Sequence, residues 1–164
     1  AEELFKIKRS DSENSIGTQL FINSLYVEEY LVDCVYGFSH KGFSYFLTTQ
    51  PEKLRSPRRI SKLVRICQND EEYYSYTEVV IQCHSNSKDY DLVQAAYIAK
   101  PGSSLAHDLG IDVEEDVLFA IFTESGLINS KQSNKTAICV YSMQAITEKF
   151  QFNIQSCFRG KGHT

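Results

Sequence analysis

No stretch of the sequence approaches the roughly 18 consecutive apolar residues that a membrane-spanning helix needs, so no segment is expected to cross a bilayer in that form. A surplus of positive charge is missing too: 17 Lys and Arg stand against 21 Asp and Glu, for a net charge of -4. Phosphate recognition leaves a basic face and a high pI, so this balance argues against a nucleic-acid partner. The opening residues Ala1-Glu2-Glu3-Leu4 lack the charged, apolar and small-residue succession of a secretory leader and read as mature sequence. There is no glycine-rich nucleotide loop, no paired metal-ligand motif and no nucleophile elbow. These gaps remove the best-marked enzyme classes, and neither a cofactor nor a metal is expected.

What is present suits a single folded domain. The chain has 164 residues, 42% of them hydrophobic, with ten Tyr and ten Phe. That is enough apolar surface for a core. Five cysteines, Cys34, Cys67, Cys83, Cys139 and Cys157, leave one without a partner inside the chain if the rest are oxidised.

Short strand-like runs dominate. Val32 to Thr48 reads as two aromatic and β-branched runs joined at Ser39-His40-Lys41-Gly42, a hairpin signal. Gln50 to Arg59, with Pro51, Pro57 and four cationic side chains, is expected to be an exposed loop. Ile60–Cys67 and Ser75–Cys83 follow as strands, the second alternating apolar Thr77, Val79 and Ile81 with a mixed face. Leu92–Ala99 fits a strand or a helix equally by periodicity. Ser103 is placed to cap a short helix that Gly110 ends, and Ser142 a second short helix carrying Ile146 and Phe150 on one face. Asp116–Thr123 and Thr136–Tyr141 are apolar at nearly every position, as in strands buried on both faces. Turns every 8–12 residues indicate a sandwich, a barrel or propeller blades, and strands apolar on both faces favour the propeller.

Candidates for chemistry are few. His40, His84, His107 and His163 fall in turns or on helix surfaces and read as solvated side chains. Adjacent Cys83 and His84 would need a third orienting group to act as a thiolate–imidazolium pair, and Cys83 reads better as structural. Glu114-Glu115-Asp116 lacks the alternating oxygen ligands of a calcium loop and reads as a solvated turn. The basic run from Lys53 to Arg59 suits water or an acidic partner. Asn134-Lys135-Thr136 is an N-glycosylation sequon on a predicted loop.

Four segments, in order, carry a family resemblance: Tyr36 to Glu52, Ser61 to Cys83 with its Arg-x-Cys-x-Asn-Asp turn, Tyr90 to Ser125 with LVQAAY-x-x-KPG, and Thr136 to Gly162 ending in QSCFRGKG. The chain resembles part of the sema domain of a plexin, the semaphorin receptor family. The hepatocyte growth factor receptor shares the third segment and supplies the alternative, a sema domain of a tyrosine kinase receptor. The resemblance implies an all-β fold with two short helices, forming part of a seven-bladed β-propeller. Residues 1–31 would end one blade, 32–89 form the next, and 90–164 begin another with a helical insertion. It implies a disulfide between Cys83 and Cys139, with Cys67 and Cys157 pairing to residues farther along a longer chain and Cys34 unassigned.

Functionally the resemblance implies a non-enzymatic, extracellular module of a single-pass plasma-membrane receptor. Such a module binds a semaphorin and the rest of its own propeller in cell and axon guidance, and makes no membrane contact itself. A glycan at Asn134 fits that setting. Arg55, Arg58, Arg59, Tyr73 and Tyr74 are the exposed candidates for ligand contact. A competing reading, an intracellular thiol enzyme built on Cys83 and His84, requires Cys83 to be a free thiol.

Overall fold

The computed structural model describes residues 5–12, 15–22, 24, 26–85, 88–124 and 135–160. Strands β1 (Phe5–Ser12) and β2 (Ser15–Ile22) form an antiparallel pair running from Phe5↔Ile22 to Ser12↔Ser15. Four strands then make an antiparallel meander in chain order: β3 (Asp33–His40), β4 (Phe43–Pro51), β5 (Arg59–Cys67) and β6 (Thr77–Ile81). A small hairpin, β7 (Cys83–Ser85) with β8 (Lys88–Tyr90), leads into β9 (Leu92–Ala99). Helix α1 (Ser103–Leu109) connects β9 to β10 (Val117–Thr123), β11 (Thr136–Ser142) follows, and helix α2 (Met143–Phe158) begins directly after it. Strands β9, β10 and β11 form a second antiparallel meander with β10 in the middle.

Turn chemistry sets the first meander. Lys41 and Gly42 have φ of 46° and 80°, and His40 pairs with Phe43. Two positive φ values give a type I′ turn, whose twist matches that of the flanking strands. Val35 is the extra residue where pairing steps from Cys34↔Thr48 to Tyr36↔Leu47, a β-bulge near the start of the edge strand. The β5–β6 turn is organised by Asp70, whose carboxylate accepts from the Ser75 amide at 2.6 Å and the Glu72 amide at 3.2 Å. Ser75 Oγ in turn accepts from the Cys67 amide at 2.9 Å. The hydrogen bonds from Ser75 and its neighbours hold the Asp70 carboxyl below the usual carboxylate range.

The two meanders pack face to face. Tyr45 and Leu47 of β4, Leu63 of β5, and Val79 and Ile81 of β6 are buried against Val93, Leu118, Ala120 and Phe122. Met143, Ile146 and Phe150 close the core from α2 at helical spacing. Ser61, fully buried, stitches the layers by donating to the Asp91 carbonyl at 2.6 Å and accepting from the Val93 amide at 2.8 Å.

Several expectations change. Gln50 and Pro51 belong to β4 rather than to an exposed loop: Gln50 is buried and donates to Tyr30 Oη at 2.8 Å, while Pro51, which has no N–H to leave unpaired, closes the ladder opposite Arg59. The second helix is not short; with no Gly or Pro before Gly160 it runs 16 residues from its Ser142 cap. Ser142 Oγ accepts from the Ala145 amide at 3.0 Å. The cap of α1 is Gly102, not Ser103, and Gly110 ends that helix at φ 65°. Strand β11 is not buried on both faces: Ile138 is 70% exposed, on the same uncovered face as Ile121 of the central strand. His40 is not solvated: it is buried at the end of β3, with Nε2 3.3 Å from Asp116 Oδ2.

Candidate interaction surface

Cys83 and Cys139 are joined by a disulfide with a Cα–Cα distance of 5.8 Å. This bond removes the thiolate that the thiol-enzyme reading requires, and that reading is withdrawn. His84 sits beside it in the open, its Nδ1 2.6 Å from Asp89 Oδ1. Cys34 and Cys157 are exposed free thiols and Cys67 a partly covered one. Asn134 lies outside the described residues. Among the described residues no group of three or more His, Cys, Asp and Glu could hold a metal ion, and no helix is long and apolar enough to cross a membrane.

The three arginines of the basic loop do not form a free cationic patch. Arg55 Nε meets Glu29 at 2.6 Å, Arg58 meets Asp91 at 2.7 Å and Glu52 at 3.7 Å, and Arg59 meets Asp33 at 2.6 Å and the Thr49 carbonyl at 2.8 Å. Asp91 is almost sealed from solvent, and its hydrogen bond and charge raise the Arg58 pKa further above its usual value. The Arg55 hydrogen bond likewise lowers Glu29. Arg58 and Arg59 therefore fasten the β4–β5 connection to the sheets, while Arg55 is 72% exposed and its guanidinium remains reachable.

Tyr73 and Tyr74 lie in the β5–β6 turn. Tyr73 adopts a left-handed φ of 59° and is half-buried, whereas Tyr74 is 88% exposed. Below them Tyr76 donates to Glu78 at 3.0 Å, and Glu78 pairs with Lys62. Burial, then the Glu78 charge, pushes the Tyr76 phenol well above its ordinary range. The arginine loop and the tyrosine turn sit at opposite ends of β5, whose nine residues span roughly 30 Å at the strand rise. The fold thus presents two separate exposed points, Arg55 and Tyr74, and does not bring the five candidate contact residues together.

Reasoning from residue types missed the acceptors Glu29, Asp33 and Asp91, which are distant in sequence from the arginines they bind. It also missed Arg65, although the period-two alternation from Leu63 points to its inner-face position. A third surface is apolar: Tyr97 and Ile138 are 65% and 70% exposed, and Ile121 37%. The pairs Phe119↔Tyr97 and Ile121↔Ile138 place them on one face of the β9–β10–β11 sheet.

Antiparallel meanders stacked face to face, each strand following its neighbour, suit a sandwich or the blades of a β-propeller, and likeness to known proteins decides for the propeller and gives its family. A model of the Sema domain matches residues 93–164. Mouse Plexin-A4 is 39% identical over 135 residues, covering 78% of this chain, and human Plexin-A2 is 36% identical over 140 residues, covering 79%. The chain spans only 7% of the length of each of these relatives. The solved extracellular region of Plexin A4 superposes with a TM-score of 0.73 at 36% identity, covering 82% of this chain and 16% of that one. Drosophila Semaphorin 1a, at 14% identity and a TM-score of 0.53 over 90% of this chain and 31% of that one, shares the fold alone. The chain belongs to the sema-domain family, on its plexin branch.

Proposed function

We propose that this chain is part of the ligand-binding sema propeller of a plexin-type, single-pass cell-surface receptor that engages a semaphorin outside the cell in cell and axon guidance. The observation that carries the reading is the agreement in both sequence and shape with the extracellular region of Plexin A4 across both sheets. Residues 32–89 make one blade, residues 90–164 begin the next with α1 and α2 as insertions, and residues 1–31 end the blade before. The apolar face around Tyr97 and Ile138 is then the surface on which further propeller packs. Binding works by surface complementarity, and an interface of standard size buries about 800 Å² per partner, more than either exposed loop offers alone. A glycan on Asn134 is compatible with the same setting.

The test is semaphorin titration of an ectodomain containing this chain, with Arg55→Glu and Tyr74→Ala made separately. Wild-type binding is expected, weakened by one substitution and not by both, because the two loops face opposite ends of the sheet. An ectodomain with no affinity for any semaphorin overturns the receptor reading. Unchanged affinity in both variants removes these loops from the contact set.

A further inference from the structure

The first sheet buries a cation that it does not pair. Arg65 lies on the inner face of β5, only 6% exposed, with its guanidinium carbon 4.5 Å from the Phe43 ring centre and 4.4 Å from that of Phe150. Both rings pack against the guanidinium and offer it no hydrogen-bond acceptor. Its Nε is sealed from solvent without a hydrogen-bond partner, and no carboxylate among the described residues forms an ion pair with it. Arg55 and Arg58 in the β4–β5 connection, and Arg59 at the start of β5, each meet at least one carboxylate. Arginine stays charged throughout the physiological range, and ring contacts offset only part of the cost of taking that charge out of water.

We propose that Arg65 is a docking slot for a carboxylate: an Asp or Glu side chain from another part of the same receptor polypeptide seats edge-on against the guanidinium between Phe43 and Phe150. A detachable ligand fits less well, since the free receptor would then hold a bare buried charge whenever the ligand was away. The contacts with both rings hold the guanidinium in place, and a carboxylate reaching its N–H edge can accept two parallel N–H bonds. The slot would thereby tie this blade, at the β5–β6 end and α2, to a further segment of the ectodomain. This inference rests on the reading of the chain as part of a longer receptor.

The test compares Arg65→Met and Arg65→Lys in the ectodomain by thermal unfolding. Methionine packs well on aromatic rings but strands a buried carboxylate, whereas lysine keeps the charge and loses the stacked plane. With a counter-ion in place, Arg65→Met lowers Tm more than Arg65→Lys. Without one, removing the unpaired charge leaves Tm level or higher and the order of the two variants reverses, which overturns the proposal. Should either variant fail to fold, a high-resolution structure of the wild-type ectodomain decides: a carboxylate within 4 Å of the guanidinium supports the slot, and water alone refutes it. An ectodomain that binds no semaphorin sinks the receptor reading without altering the order of these variants.

Discussion

Ser61 shows how much of the packing depends on single polar side chains. Its hydroxyl is fully buried and serves both the Asp91 carbonyl and the Val93 amide, so one oxygen bridges the layers at this point. Ser61→Ala leaves both backbone groups unsatisfied and is expected to cost about 1–3 kcal/mol, read from the urea midpoint; an unchanged midpoint would show that water replaces the hydroxyl. His40 is the second residue of this kind. Burial, partly opposed by the Asp116 charge, lowers its pKa below 6.5, so the unfolded chain binds the proton more readily than the folded one. Stability that is full above 6.5 is therefore lost as pH falls from 6.5 towards the folded value. The melting temperature of the wild type should drop over that window, and His40→Gln should flatten the part of the slope that His40 supplies. Equal slopes in the two proteins would mean that His40 does not titrate differentially. Neither role could be read from residue type: a serine in a strand and a histidine before a turn are both ordinary surface choices until burial is known.

At the scale of elements, turns and helix ends were the most legible part, because their chemistry is local, although the cap of α1 fell on Gly102 and not on Ser103. Gly42 announced the β3–β4 hairpin, Gly110 the end of α1, and Ser142 the start of α2 with Ile146 and Phe150 turned inward. Ser142→Ala removes the hydrogen bond to the Ala145 amide and is expected to destabilise by about 1 kcal/mol, with hydrogen exchange rising first in the leading turn of α2. Protection unchanged at Ala145 would count against the cap. Failures came where a neighbour decides the outcome. The composition of TAICVY matches a central strand, yet β11 is an edge, and only the sheet order tells the two apart. Gln50 looked like loop, and the Tyr30 hydroxyl twenty residues earlier draws it into the core. The five candidate contact residues were legible as exposed or charged types. Their separation to opposite ends of β5, and the neutralisation of Arg58 and Arg59, depend on pairings between strands.

Across the whole molecule, the Cys83–Cys139 disulfide is the longest covalent constraint, linking residues 56 apart and enclosing β8, β9, α1 and β10. It fastens the strand just beyond the first sheet to the edge strand of the second, beside the hydrogen bond that Tyr141 Oη donates to the Gln82 carbonyl at 2.8 Å. Five cysteines alone left many pairings open, and the choice of this one came from family resemblance. Closing a loop of this length restricts the unfolded chain by about 4 kcal/mol in the chain-entropy model, large beside the margin of an ordinary domain. The Cys83→Ser and Cys139→Ser double variant should therefore unfold at a lower urea concentration, by up to about that free energy, and with a steeper slope because its unfolded state is more expanded. Either single variant should lose nearly as much, since breaking the link at one end opens the whole loop. A midpoint and slope equal to those of the wild type would show that the packed sheets, and not the crosslink, hold β11 in place.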